Sequence, residues 1–311
     1  MRAVALSEFG GPEVLTVADL PVPEPGDGEV RIRVAAATVN PTDLGYRSGR
    51  QAQLLSALPP PYVPGMEMAG TVDAAGAGTG WQTGERVMAI VLPSRTGRGA
   101  QSELVVVPKE SVARVPQGVS LEQAATLPMN GLTARRALDL LGLAKGQTLA
   151  VTGAAGAVGG YVTQLGVQDG LRVLAVARPR DEAVVKELGA TLFVPAGDGA
   201  AQGIRRLVPE GVDGLVDAAV IGAPILPAVR DGGQIASVRP FNGEPERDIT
   251  IKLTLVSDYA RNTAALERLG DLVAEGKLTL RLAETFPPER AAEAHRKFEA
   301  GGVRGRLVIV F

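Results

Sequence analysis

Gly153, Gly156 and Gly159 stand at three-residue intervals between an apolar β-type run, Leu149 to Thr152, and helix-compatible residues from Tyr161 to Gln168. A strand that ends in such a turn leaves backbone N–H groups at the start of a helix, where the helix dipole adds to their attraction for an anion. Larger side chains at the three glycines would keep a diphosphate off the backbone. The next β-type run, Arg172 to Ala177, completes a βαβ unit of the length expected for dinucleotide binding. The diphosphate is therefore expected against Gly153, Ala155, Gly156, Ala157, Val158 and Gly159. Glycine-rich turns also serve as packing points, and the chain holds 39 glycines, so the strand–turn–helix–strand context carries this reading.

The end of the second strand chooses the nucleotide. An NAD site places Asp or Glu about 20 residues after the glycines, on the ribose hydroxyls. Here that place is Ala177, followed by Arg178, Pro179 and Arg180. A carboxylate would repel a 2′-phosphate, whereas a guanidinium binds it through charge-assisted, bidentate hydrogen bonds. The expected cofactor is NADPH, held first by Arg178 and second by Arg180; the alternative is that both are solvated loop charges.

The other residue types narrow the chemistry. With no cysteine, disulfides, thiolate catalysis and thiolate-bound zinc are excluded. The single histidine, His295, lies in a helical stretch and reads as a structural or surface residue. Redox chemistry must come from a bound organic cofactor. A net charge of −2 gives no electrostatic reason to expect nucleic acid or an anionic membrane as partner, and aromatic content of 4% argues against a base-stacking platform. No apolar run approaches a bilayer-spanning length, and Met1 to Leu6 reads as a strand rather than a signal peptide, so the cytoplasm is expected.

The elements that must position these residues follow from pattern. At 311 residues the chain is long enough for two cores. Over residues 1–120, β-type runs such as Val30 to Ala36, Ala69 to Ala74, Arg86 to Val91 and Ser102 to Val107 alternate with Pro/Gly turns, as in a partly open barrel. Residues 121–256 begin helical, with Ser120 as N-cap, and then alternate strand and helix, which indicates a doubly wound parallel sheet. Residues 257–311 resemble the opening part. The fold class is α/β, with the nucleotide domain inserted into a β-barrel-like domain built by both chain ends.

The chain resembles the medium-chain dehydrogenase/reductase superfamily, and within it the zinc-independent, zeta-crystallin-like quinone oxidoreductases. The resemblance runs end to end, over Val39–Asp43, Pro64–Gly70, Gly84–Val87, Ala124–Ala134, the glycine turn and Gly305–Val308. It implies a GroES-like domain with an inserted Rossmann domain, NADPH in the cleft between them, no metal, and homodimers joined at the Rossmann sheet edges. It places Asn40 near the nicotinamide ribose and substrate, Tyr46 in the pocket and Thr133 beside the nicotinamide. Relatives often carry Asn-Tyr after the third Rossmann strand, whereas this chain reads Val194–Pro195–Ala196.

The chemistry expected is hydride transfer to a quinone or an α,β-unsaturated carbonyl, whose conjugation spreads the incoming charge onto oxygen. That oxygen needs a donor and then a proton. Tyr46 and Asn40 are the candidates, with water behind them; Tyr46 as pocket wall and Asn40 as a turn cap before Pro41 are the alternatives. Ser237, Val238, Arg239 and Phe241 follow the fifth Rossmann strand, at the carboxyl edge where such sheets bind ligands, and are expected near the nicotinamide. The competing functions are an enoyl-thioester or biosynthetic enone reductase of the same fold, and a nucleotide-binding protein without turnover.

Overall fold

The computed structural model describes every residue from Met1 to Phe311. Contacts divide the chain into two compact units, the first made of Met1–Met129, Ala260–Glu275 and Leu280–Phe311, the second of Asn130–Tyr259 and Gly276–Thr279.

The first unit opens with the antiparallel pair β1 (Arg2–Ala5) and β2 (Thr16–Asp19). β3 (Glu29–Thr38) is followed by helix α1 (Pro41–Arg47) and the single-turn α2 (Ala52–Leu55), then β4 (Glu67–Ala75) and β5 (Arg86–Ile90). A short α3 (Pro93–Thr96) leads to β6 (Leu104–Pro108), β7 (Val112–Arg114) and α4 (Leu121–Ala124). β3 shows why these segments are strands: Val30, Ile32 and Val34 are buried, whereas Arg31 and Arg33 face outward and bond Asp73 on β4. Ser120 caps α4 with a reciprocal Ser120–Gln123 capping box. The helical character that follows Ser120 is divided: α4 ends at Ala124 and a second helix, α5 (Pro128–Leu141), starts at Pro128, which has no N–H to extend the preceding turn.

The second unit runs through β8 (Thr148–Thr152), α6 (Ala157–Gln168), β9 (Arg172–Ala177), α7 (Glu182–Glu187), β10 (Leu192–Pro195), α8 (Ala200–Leu207), β11 (Val212–Asp217), β12 (Val229–Ser237) and β13 (Thr250–Leu253). These strands form one parallel sheet in the order β10-β9-β8-β11-β12-β13. β8 is buried at every residue, as a central parallel strand covered on both faces must be. The order reverses between β8 and β11, the switch point at which such sheets bind nucleotides.

The chain then returns to the first unit with α9 (Thr263–Ala274), β14 (Leu282–Phe286), α10 (Ala291–Ala300) and β15 (Arg306–Val310). β15 pairs antiparallel with β3, which places the C-terminal strand inside the seven-stranded sheet of order β14-β15-β3-β4-β5-β7, with β6 also on β3. The architecture is that of a GroES-like unit and a Rossmann unit. No helix is long and apolar enough to cross a membrane.

Candidate active site

In the second unit the glycine turn joins β8 to α6. Gly153 has φ +61°, a left-handed conformation that favours glycine. A Cβ on Gly159 would lie 2.3 Å from the Gly153 carbonyl oxygen, so no side chain fits there. These two glycines are therefore demanded by the turn itself, beyond any ligand. The Gly156 N–H donates to Gly153 O at 2.8 Å, and Gly156 starts α6 in extended conformation. Gly156 is exposed and Ala157 and Val158 are half-buried. The first turn of this 12-residue helix thus presents backbone donors with no intrahelical acceptor at the carboxyl edge of the sheet. That chemistry fits a diphosphate.

Arg178 and Arg180 follow β9, both exposed and without an ion pair, while Ala177 before them is buried. Ala196, in the segment lacking the family's aromatic residue, donates its N–H to Ala177 O at 2.8 Å. Thr133 lies buried on α5. Ser237 is buried and its hydroxyl donates to Arg239 O at 2.7 Å, which uses it in a local turn; Val238 and Arg239 are half-buried. Phe241 is half-buried and packs against the core that includes Ile225 and Ile235.

The first unit holds the other candidates, and here side-chain geometry revises the expectations. Tyr46 is packed in the apolar core with Val4, Leu6, Leu55, Phe286 and Ile309, edge-on to Tyr62. Its hydroxyl is buried without a hydrogen-bond partner, and burial pushes the phenol's pKa up. A phenol in that state holds its proton, and its ring and hydroxyl lie within the core.

Asn40 sits just before α1, buried in a polar network that sequence reasoning missed. Its Oδ1 accepts from Arg306 Nη2 at 2.7 Å, and its Nδ2 donates to Thr38 Oγ1 at 2.9 Å and Glu67 Oε1 at 3.1 Å. The carboxamide oxygen faces a cation and its nitrogen faces two acceptors, which fixes the Asn40 side chain within this network. Arg306 Nη2 also lies 2.7 Å from Glu67 Oε1, and Thr38 Oγ1 donates to the same carboxylate oxygen at 2.6 Å. Glu67 Oε2 accepts the Met129 N–H at 2.8 Å, in the first turn of α5, where the helix dipole favours negative charge. A charged residue opening the otherwise apolar β15 was the available signal for Arg306, and Glu67 before Met68–Gly70 offered a weaker one, because buried charges must be paired.

Asp43 completes the arrangement. Its Oδ2 accepts the Asn40 N–H at 2.8 Å and its Oδ1 the Gly65 N–H at 3.0 Å, stapling α1 to the segment before β4. Burial raises its pKa to about 7 against the opposing pull of those two donors. His295 lies in the core on α10, its pKa pushed down to about 3 by burial and by the nearby Arg47 cation. Arg47 donates to Gly10 O at 2.7 Å and pairs with Glu299. No group of three His, Cys, Asp or Glu side chains is placed to hold a metal ion.

Comparison with known proteins bears on this geometry. Residues 26–117 match the family model described as alcohol dehydrogenase GroES-like domain, and residues 188–309 the one described as zinc-binding dehydrogenase. The chain is 30% identical to human quinone oxidoreductase over 333 residues, covering 100% of this chain and 98% of that protein. It is 36% identical over 222 residues to the mouse synaptic vesicle membrane protein VAT-1 homolog-like, covering 70% of this chain and about half (51%) of that relative's length. A crystal structure described as an NAD-dependent alcohol dehydrogenase superposes with TM-score 0.88 at 31% identity, covering 100% of both chains. A mycobacterial protein solved with NADPH superposes with TM-score 0.85 at 28% identity, again covering 100% of both. A GroES-like unit with a six-stranded Rossmann sheet defines an oxidoreductase that binds a nicotinamide cofactor. The chain belongs to the medium-chain dehydrogenase/reductase superfamily, in its zeta-crystallin-like quinone oxidoreductase family.

Proposed function

We propose that this protein is an NADPH-dependent reductase of quinones or α,β-unsaturated carbonyls. The observation that carries the choice of NADPH is the pair of exposed, unpaired guanidiniums of Arg178 and Arg180 directly after buried Ala177, where an NAD site has a carboxylate. The human relative's name is that of a quinone oxidoreductase, and one structural relative was solved with NADPH, which supports both halves of the reading.

When bound, the nicotinamide supplies a hydride to an electrophilic carbon of the acceptor. The residues of this chain do the rest. The turn from Ala155 to Gly159 receives the diphosphate, with the N–H groups of Ala157, Val158 and Gly159 in the first turn of α6 as its donors, and Arg178 with Arg180 neutralises the 2′-phosphate. Thr133, Val238 and Arg239 are proposed for the nicotinamide half. Asn40, locked by Arg306 and Glu67, shapes the substrate side instead of donating a proton. With the Tyr46 phenol in the core, the proton that completes the quinol or ketone comes from water.

A homodimer is proposed through the β13 edge of the parallel sheet. That edge strand has no partner beyond it, and Leu253 and Leu255 beside it are 41% and 48% exposed.

The test is calorimetric titration of the protein with NADPH and with NADH, followed by turnover with a quinone and an enone panel. NADPH is expected to bind at least about tenfold more tightly, given the charge-assisted bonds it alone can make. Tight binding with no oxidation by any acceptor would leave a nucleotide-binding protein without turnover.

A further inference from the structure

β8 and β11 lie side by side and end together, with Thr152 opposite Asp217, both fully buried. Thr152 Oγ1 donates to Asp217 Oδ1 at 2.7 Å and accepts the Ala219 N–H at 3.0 Å. The Asp217 carboxylate also accepts the Ile221 N–H at 3.0 Å and the Gly222 N–H at 2.9 Å. The backbone donors after β11 therefore turn inward onto one carboxylate–hydroxyl pair, and residues 218–222 curl around it. The strain of that curl falls on Val220, at φ +56°, a conformation that a β-branched residue rarely adopts.

The curl is packed against the phosphate-binding turn. A Cβ on Gly153 would stand 3.3 Å from Ala219 Cβ. On its other side, the Ala223 N–H donates to Asn242 O at 2.7 Å, in the loop after β12. Three loops at the carboxyl edge of the sheet are thereby fastened together at the switch point, and Val220 is the residue left 46% exposed there. A glycine at position 220 would relieve the strain, yet valine occupies it. Strain kept in place by surrounding hydrogen bonds at a ligand edge is a mark of preorganisation.

We propose that Asp217 is a positioning residue for the nucleotide. With Thr152 it holds the 218–222 segment against the Gly153 turn and presents Val220 as a preformed wall of the cofactor site. This rests on the NADPH reading given above, and it adds a determinant of cofactor affinity that the glycine turn and the arginines do not supply.

The decisive variants are Val220→Gly and Asp217→Asn, compared with wild-type protein in thermal unfolding without nucleotide and in NADPH titration. Val220→Gly is expected to unfold at or above the wild-type temperature while its Kd for NADPH rises about fivefold or more. In turnover with a quinone the loss appears in KM for NADPH rather than in kcat. Asp217→Asn turns a donor towards the Gly222 N–H, and its Kd is expected to rise by about tenfold. Val220→Gly binding NADPH as wild type does would overturn the positioning role while leaving the NADPH reading intact. So would weakened NADPH binding by Val220→Gly accompanied by a lowered unfolding temperature, since that is a merely structural effect. Wild-type protein that binds neither NADPH nor NADH would overturn the nucleotide reading and this inference together.

Discussion

Arg306 Nη2 lies 2.7 Å from Glu67 Oε1 in the interior of the first unit, joining two residues 239 positions apart in the chain. The same guanidinium nitrogen fixes the Asn40 carboxamide at 2.7 Å. Strands β4 and β15, from opposite ends of the sequence, are thus tied at their first residues around the side chain that the family resemblance sets beside the substrate.

Breaking that pair from one side leaves a buried charge uncompensated. Arg306→Met or Glu67→Met alone is expected to cost about 3–5 kcal/mol of stability, and the double variant much less than their sum. Urea unfolding of the four proteins measures the coupling. Additive losses would show that the two charges do not depend on each other.

Tyr46→Phe removes a hydroxyl that is buried without a partner. Turnover is expected within about twofold of wild type and stability unchanged or raised by roughly 1 kcal/mol. A fall in kcat of about a hundredfold, the size expected for loss of a general acid, would restore the phenol to the proton pathway.

His295 and Asp43 make stability depend on pH with opposite signs. His295, at about 3 folded against 6.5 unfolded, binds its proton only on unfolding between those values, so its contribution is lost as pH falls from 6.5. Asp43, raised from 3.8 to about 7, is protonated in the folded protein first, so its contribution falls as pH rises towards 7. Each acts at about 1.4 kcal/mol per pH unit and they offset one another between about pH 4 and 6.5. In His295→Leu only the Asp43 effect remains, and denaturant midpoints are expected to rise on acidification from pH 7 to 5. Midpoints that track the wild type's would remove His295 from the balance.

Arg178→Asp places a carboxylate where a 2′-phosphate is expected. Kd for NADPH should rise by about a hundredfold while NADH changes by a few-fold at most, as two charge-assisted bonds are replaced by repulsion. An equal loss for both nucleotides would mean that Arg178 does not read the 2′-phosphate.

Where local chemistry decides structure, the chain was legible. β9 runs from Arg172 to Ala177 as its continuous apolar character indicates, and Ser120 caps its helix because hydroxyl and glutamine stand three apart. β13 escaped notice because it is four residues long and carries Thr250 and Lys252, which leaves no apolar run. The site was half legible. The bend at Gly153 and Gly159 is read from neighbours in sequence, whereas Glu67 and Arg306 acquire meaning only when distant strands meet. The direction of Tyr46 depended on the rotational phase of the seven-residue α1, too short for periodicity to fix.

The most direct measurement mixes the protein, preloaded with one equivalent of NADPH, with an excess of quinone while nicotinamide absorbance is followed in a stopped-flow instrument. A single exponential loss of the reduced nicotinamide band, much slower or absent with NADH, is expected. Absorbance that stays constant with NADPH present and bound, or equal rates with the two nucleotides, would contradict an NADPH-dependent quinone reductase.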